Sequence, residues 1–125
     1  MAAINQRITN LVAGDAWKIQ RTYTDLPTGM VFTKAYLTIK NRESDADPGF
    51  HQAEVTVIPS GDGELTEANS PTPSMYFTIT AAKSVTAKPE AEMPYDVVLI
   101  TDDGLPYTAE IGLLIPLRGV STVNS

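Results

Sequence analysis

The groups able to move protons or hold a metal near neutral pH are few: one histidine, His51, and fifteen Asp and Glu, in a chain with no cysteine. His51 could serve as the base of a nucleophile–His–acid triad. It follows Pro48-Gly49-Phe50 at the mouth of a strand-like run, however, and the chain holds no Gly-x-Ser-x-Gly nucleophile elbow. It therefore reads as a loop histidine. The alternating acids Glu43, Asp45 and Asp47 suggest the start of a calcium loop. Gly49 falls where a further oxygen ligand is needed, and Glu54 stands at the wrong spacing for the closing bidentate carboxylate. A solvated acidic loop is the expectation.

Two other acidic groups read as turns. Asp102-Asp103-Gly104 lies between two strong strand patterns, as a hairpin turn does. Gly61-Asp62-Gly63 lacks the following Lys of a phosphate-cradling loop. Carboxylates paired for glycoside hydrolysis depend on a spacing that only a fold sets, about 5–9 Å, and a sandwich this small leaves little room for a deep cleft. No catalytic, cofactor-binding or metal-binding residue is assigned, and no cofactor is expected. The aromatic residues offer a different chemistry, stacking against a sugar or packing against a partner. Trp17 and Tyr95 fall on apolar faces and read as core. Tyr36 and Tyr76 project from the opposite faces of their strands and could meet a partner, and with Tyr107 they could form a sugar platform.

Charge narrows the partners. Nine Lys and Arg against fifteen acids give a net charge of −6, which opposes a phosphate-binding surface, so no nucleic acid is expected. The longest apolar runs, Val97 to Ile100 and Ile111 to Leu117, fall well short of the roughly 18 residues of a membrane span, so no membrane is expected either. Met1 to Gly14 carries a single charge, Arg7, and is broken by Asn5, Gln6 and Asn10, unlike a secretory signal. The lack of cysteine fits synthesis in a cytoplasm.

The elements that must position these residues have period two. Trp17, Ile19, Arg21 and Tyr23 share one face, and Ala35, Leu37 and Ile39 another. The pattern recurs with Val55 and Val57, with Met75, Phe77 and Ile79, and through Tyr95 to Thr101 and Tyr107 to Leu117. Turn residues separate these runs, which predicts an all-β antiparallel sandwich. Its expected core is Trp17, Ile19, Leu37, Ile39, Val55, Val57, Phe77, Ile79, Val97, Leu99 and Ile111. Thr80 can cap a single helical turn at Ala81 and Ala82, ended by Pro89. A short extra strand at Glu64 to Thr66 is the other expectation. The chain reads as one domain, 1–125, with residues 1–13 as first strand or arm and 118–125 as a tail. Ile4, Ile8, Leu11 and Val12 fit a helical face, whereas Ile4, Gln6, Ile8, Asn10 and Val12 fit a strand face, and the β-branched content favours a strand.

Gly14-Asp15-Ala16-Trp17-Lys18-Ile19-Gln20, followed by Thr24-Asp25 and Gly29, resembles the opening strand and turn of a family of small β-sandwich structural proteins of tailed bacteriophages. The second half agrees: Phe77-Thr78-Ile79-Thr80-Ala81-Ala82, then Tyr95-Asp96-Val97, then a final hairpin from Thr101-Asp102-Asp103-Gly104 to Tyr107-Thr108 and Gly112. The resemblance spans Gly14 to Val120 and is nearest to the N-terminal domains of phage baseplate upper proteins. Pro94-Tyr95-Asp96 departs from it, standing where an aromatic pair is common, as does the long Asn41 to Gly49 loop. The resemblance implies an immunoglobulin-like sandwich and a non-enzymatic virion component. Such a subunit would be made in the host cytoplasm and act as decoration, connector or baseplate and tail accessory, bound to other virion proteins and copies of itself. Ile4, Ile8, Leu11, Tyr36 and Tyr76 are the candidate partner contacts. The rival reading is a carbohydrate-binding sandwich module.

Overall fold

The computed structural model describes residues 3–24, 26–42, 44–46 and 49–119. Eight strands and one helical turn follow the chain in the order β1 (Ala3–Ile8), β2 (Trp17–Thr22), β3 (Phe32–Ile39), β4 (His51–Thr56), β5 (Gly63–Glu67), β6 (Ser74–Ile79), α1 (Ala81–Ser84), β7 (Met93–Thr101) and β8 (Pro106–Leu114). They form two sheets, a five-stranded one in the order β1-β8-β7-β3-β4 and a three-stranded one in the order β2-β6-β5. The sheets pack face to face as an immunoglobulin-like β-sandwich, because each strand alternates apolar and polar residues and has one face to bury.

The inward residues make one core. Trp17, Leu37, Ile39, Val55, Phe77, Ile79, Val97 and Leu99 are all 2% exposed or less, and Ile19 is close behind. Two expected core residues lie outside it. Val57 is 55% exposed because β4 ends at Thr56, so the residue beyond it has left the sheet. Ile111 is 45% exposed because the β7–β8 register slips between Val97 and Val98, where Ala109 is an extra residue in β8. A bulge of this kind sets two successive side chains on one face, here Ala109 and Glu110, both buried, and turns the following residue outward.

The N-terminal segment is a strand of the protein's own sheet. β1 pairs in parallel with β8, Gln6 opposite Gly112 and Ile8 opposite Leu114, and is the one parallel pair between the described strands. Gly112 permits this approach, since a Cβ there would stand 2.3 Å from the carbonyl oxygen of Gln6. Thr80 caps α1 by accepting from the Lys83 amide at 3.2 Å. The buried Ser84 then ties that turn to the start of β2: its Oγ accepts from Gly14 N at 3.0 Å and donates to Asp15 O at 2.5 Å.

Both acidic turns take their expected form. In the β7–β8 hairpin, Gly104 N donates to Thr101 O and Gly104 adopts φ +85°, which glycine accommodates without a Cβ clash. Gly63 closes the β4–β5 connection through Ser60 at φ +126°. There a Cβ would stand 2.0 Å from the Tyr76 carbonyl oxygen.

Candidate functional site

The bulge in β8 places a carboxylate in the middle of the sandwich. Glu110 is 2% exposed, and three side chains converge on it. Arg21 Nε donates to its Oε1 at 2.7 Å, Tyr23 OH donates to the same oxygen at 2.8 Å, and Tyr95 OH donates to Oε2. Arg21 comes from β2 in the three-stranded sheet, and Tyr23 follows it in the chain. Tyr95 and Glu110 come from β7 and β8 in the five-stranded sheet. The cluster therefore bridges the two layers. Arg21 also donates through Nη1 to Gln20 O at 2.9 Å, which occupies a carbonyl of the edge strand β2.

The electrostatics favour a charged Arg21 and neutral phenols at Tyr23 and Tyr95. Burial draws the Arg21 guanidinium down, but the hydrogen bond and negative charge of Glu110 outweigh it and hold it above its ordinary value. Burial first, then the neighbouring Glu110 charge, pushes the Tyr23 phenol well above its usual range. Burial and the hydrogen bond to Glu110 do the same to Tyr95. Both phenols stay protonated donors. A carboxylate bonded by three donors drawn from both sheets ties those sheets together.

Sequence reasoning missed Glu110, since strict alternation through Tyr107 to Leu117 turns Ile111 inward and Glu110 outward. A signal was present nonetheless: Arg21 shares an inward face with Trp17 and Ile19, and a buried guanidinium requires a buried acid.

The second feature is on the outer face of the five-stranded sheet, a groove of about 790 Å³. Ile111, Asp96, Thr38 and Gln52 form one row across β8, β7, β3 and β4. Gln52 Nε2 donates to Thr38 Oγ1 at 2.9 Å, and Thr38 is 7% exposed although it faces outward. Arg7 and Leu113 on one side and Lys40 on the other complete the lower end, and Tyr36 and Val98 the upper. The ion pair of Arg7 with Glu92 spans 3.9 Å between side chains both more than half exposed, a geometry that adds little stability.

The remaining sequence-predicted residues are dispersed. Tyr36 lines the groove, whereas Tyr76 lies on the outside of the other sheet with Lys18 Nζ 4.5 Å above its ring. Tyr107 pairs with the buried Leu99 and packs against the core. The sugar platform of Tyr36, Tyr76 and Tyr107 is thus divided among two outer faces and the interior, so these aromatics form no common plane. Ile8 is 6% exposed, and Leu11 packs partly buried against the core, so both turn toward the molecule's own interior. Ile4 belongs to β1, its side chain being outside the described set.

His51 opens β4 with its Nε2 buried and, among the described residues, lacking a hydrogen-bond partner. Burial lowers its pKa, Asp62 acting against that and Lys83 with it. Of the acidic loop, Glu43 and Asp47 lie outside the described residues. Asp45 does turn chemistry: its Oδ2 accepts from Arg42 N at 3.0 Å, and its carbonyl accepts from Lys40 Nζ at 2.8 Å. Among the described residues no group of three or more His, Asp and Glu is placed to hold a metal ion, and no helix is long and apolar enough to cross a membrane.

Comparison of the chain with protein-family models, with curated proteins and with solved structures finds no match.

Proposed function

We propose that this protein is a non-enzymatic structural component of a bacteriophage virion, a decoration, connector or baseplate and tail accessory subunit that acts by protein–protein association. The observation that carries the reading is the division of labour between the two faces of the five-stranded sheet. The inward face holds the buried acid–base cluster as a clamp between layers, and the outward face presents a ligand-sized groove of mixed apolar and polar lining. Such a surface binds without any chemical step.

The resemblance to small phage sandwich proteins supplies the setting. Its two signature segments also meet in space, since Gly14 and Asp15 are bonded through Ser84 to the turn that follows Thr80-Ala81-Ala82.

The test is location. Particles from a lysate in which the chain is expressed are purified on a density gradient and probed by mass spectrometry and by immunogold labelling. A fixed copy number per particle, with label at one position, is expected. Complete particles without the protein, and all of it in the soluble fraction, would refute the reading.

A further inference from the structure

The two ends of the five-stranded sheet differ in chemistry. At one end β7 turns into β8 through Asp102, Asp103 and Gly104, all exposed, followed by Leu105 at 60% exposure. No basic residue occurs between Leu99 and Glu110, so the hairpin tip is two carboxylates beside an apolar knob. Toward the opposite end of the same strands lies the outer-face groove, with an apolar floor of Ile111 and Leu113 flanked by Arg7 on β1 and Lys40 after β3. In a chain of net charge −6, that lining carries two cations against one acid, Asp96; Glu92 lies 3.9 Å from Arg7 outside it, and Lys40 Nζ also donates to the Asp45 carbonyl.

We propose that copies of this chain associate head to tail, the β7–β8 hairpin of one copy seating in the outer-face groove of the next. Leu105 covers the apolar floor, and Asp102 and Asp103 face Arg7 and Lys40. The inference rests on the structural-subunit reading for its biological setting, and its occupant is chosen by charge. An acidic tip and a cation-flanked groove attract, whereas two acidic tips repel. Because hairpin and groove are different surfaces on one chain, the contact is heterologous and propagates into a ring or a filament. The hairpin is rigid enough to act as a plug. Thr101 Oγ1 accepts from Leu105 N at 2.9 Å and donates to Asp103 Oδ1 at 2.5 Å, while Thr101 N donates to Leu105 O at 2.9 Å.

The test uses the whole chain and two variants, Asp102→Lys/Leu105→Lys in the hairpin and Arg7→Glu/Lys40→Glu in the groove. Sedimentation velocity of the unaltered chain should show assembly that grows with concentration and weakens with added salt. Each variant alone should associate more than about tenfold more weakly, since its facing charges become alike. An equimolar mixture should assemble again, because each variant's hairpin then meets a groove of opposite sign. Restored assembly also shows that both variants are folded.

In the unaltered chain, mixed as light and heavy isotope forms, a carbodiimide cross-link between Lys40 and Asp102 or Asp103 should join different copies. The proposal is overturned by a chain that stays monomeric at every concentration, by assembly indifferent to either variant, by a mixture that stays dissociated, or by intermolecular cross-links confined to other surfaces. Particle incorporation is scored separately. Assembly without incorporation refutes the virion reading alone, and incorporation of a monomer refutes head-to-tail association alone.

Discussion

Arg21 and Glu110 stand 89 positions apart in the chain and meet at 2.7 Å between the two sheets. The Arg21 side chain keeps 27% of its surface in solvent, whereas that of Glu110 keeps 3%. The pair is thus asymmetric: the cation still reaches water at the open edge beside β2, and the anion depends wholly on its three donors. Buried pairs of this kind add modest net stability but are costly to break from one side.

Glu110→Ala removes the common acceptor of Arg21, Tyr23 and Tyr95 and is expected to cost about 3–5 kcal/mol, read from urea unfolding. Tyr23→Phe leaves Oε1 still bonded to Arg21 and should cost about 1 kcal/mol. The double variant Arg21→Met/Glu110→Leu should be more stable than Glu110→Ala, because no charge is then left without its partner. A double variant weaker than the single one would show that the cluster contributes more than mutual compensation.

Much of the sandwich is legible in the sequence because period two is a local signal: alternation alone places Trp17, Ile19, Leu37, Phe77 and Val97 inward. The site is not, because a bulge is invisible to alternation. One extra residue at Ala109 inverts the faces of all that follow, so Ile111 turns out and Glu110 turns in. The placing of Tyr36 and Tyr76 in different sheets depends on strand pairing, as does the parallel docking of β1 on β8. Such pairings join residues more than a hundred positions apart, as Ile8 and Leu114 are, and no short window of sequence contains them.

His51 sets a pH dependence. Its folded pKa lies below the ordinary histidine value, chiefly through burial, so below about pH 6.5 the unfolded chain binds a proton that the folded one resists. Its contribution to stability is therefore full above that pH and declines as pH falls through the interval down to the folded pKa. His51→Gln should flatten the urea midpoint against pH over that interval while leaving the midpoint above pH 7 nearly unchanged. A slope identical to that of the unaltered chain would exclude His51 as its source.

The alkaline side belongs to the two clamp tyrosines. Their folded pKa values are raised, by burial first and then by Glu110, so from about pH 10 upward the unfolded chain loses protons that the folded chain keeps. Stability should fall with rising pH there. Absorbance of tyrosinate, followed with a folding probe, should show one set of phenols that ionises only as the protein unfolds. The Tyr23→Phe/Tyr95→Phe variant should lack that set, and early ionisation of every phenol would contradict the burial of the cluster.

β1 decides whether the N-terminal segment is an arm or a part of the core. Its Ile8 is 6% exposed and lies opposite Leu114, itself fully buried, and its backbone covers the edge of β8. Removing residues 1–9 would strip that edge, uncover Leu114 and forfeit the burial of Ile8, which alone is worth about 1.5–3 kcal/mol. The truncated chain should melt at a markedly lower temperature. Gly112→Val reaches the same end without shortening the chain, since a side chain at that position collides with the Gln6 carbonyl and forces β1 from the sheet. Limited proteolysis of this variant should cut within residues 1–13 while the intact chain resists. If the truncated protein melts as the full chain does, β1 contributes nothing to the sandwich and is free to reach a neighbour. If Gly112→Val alone is tolerated, β1 has room to shift outward without leaving β8.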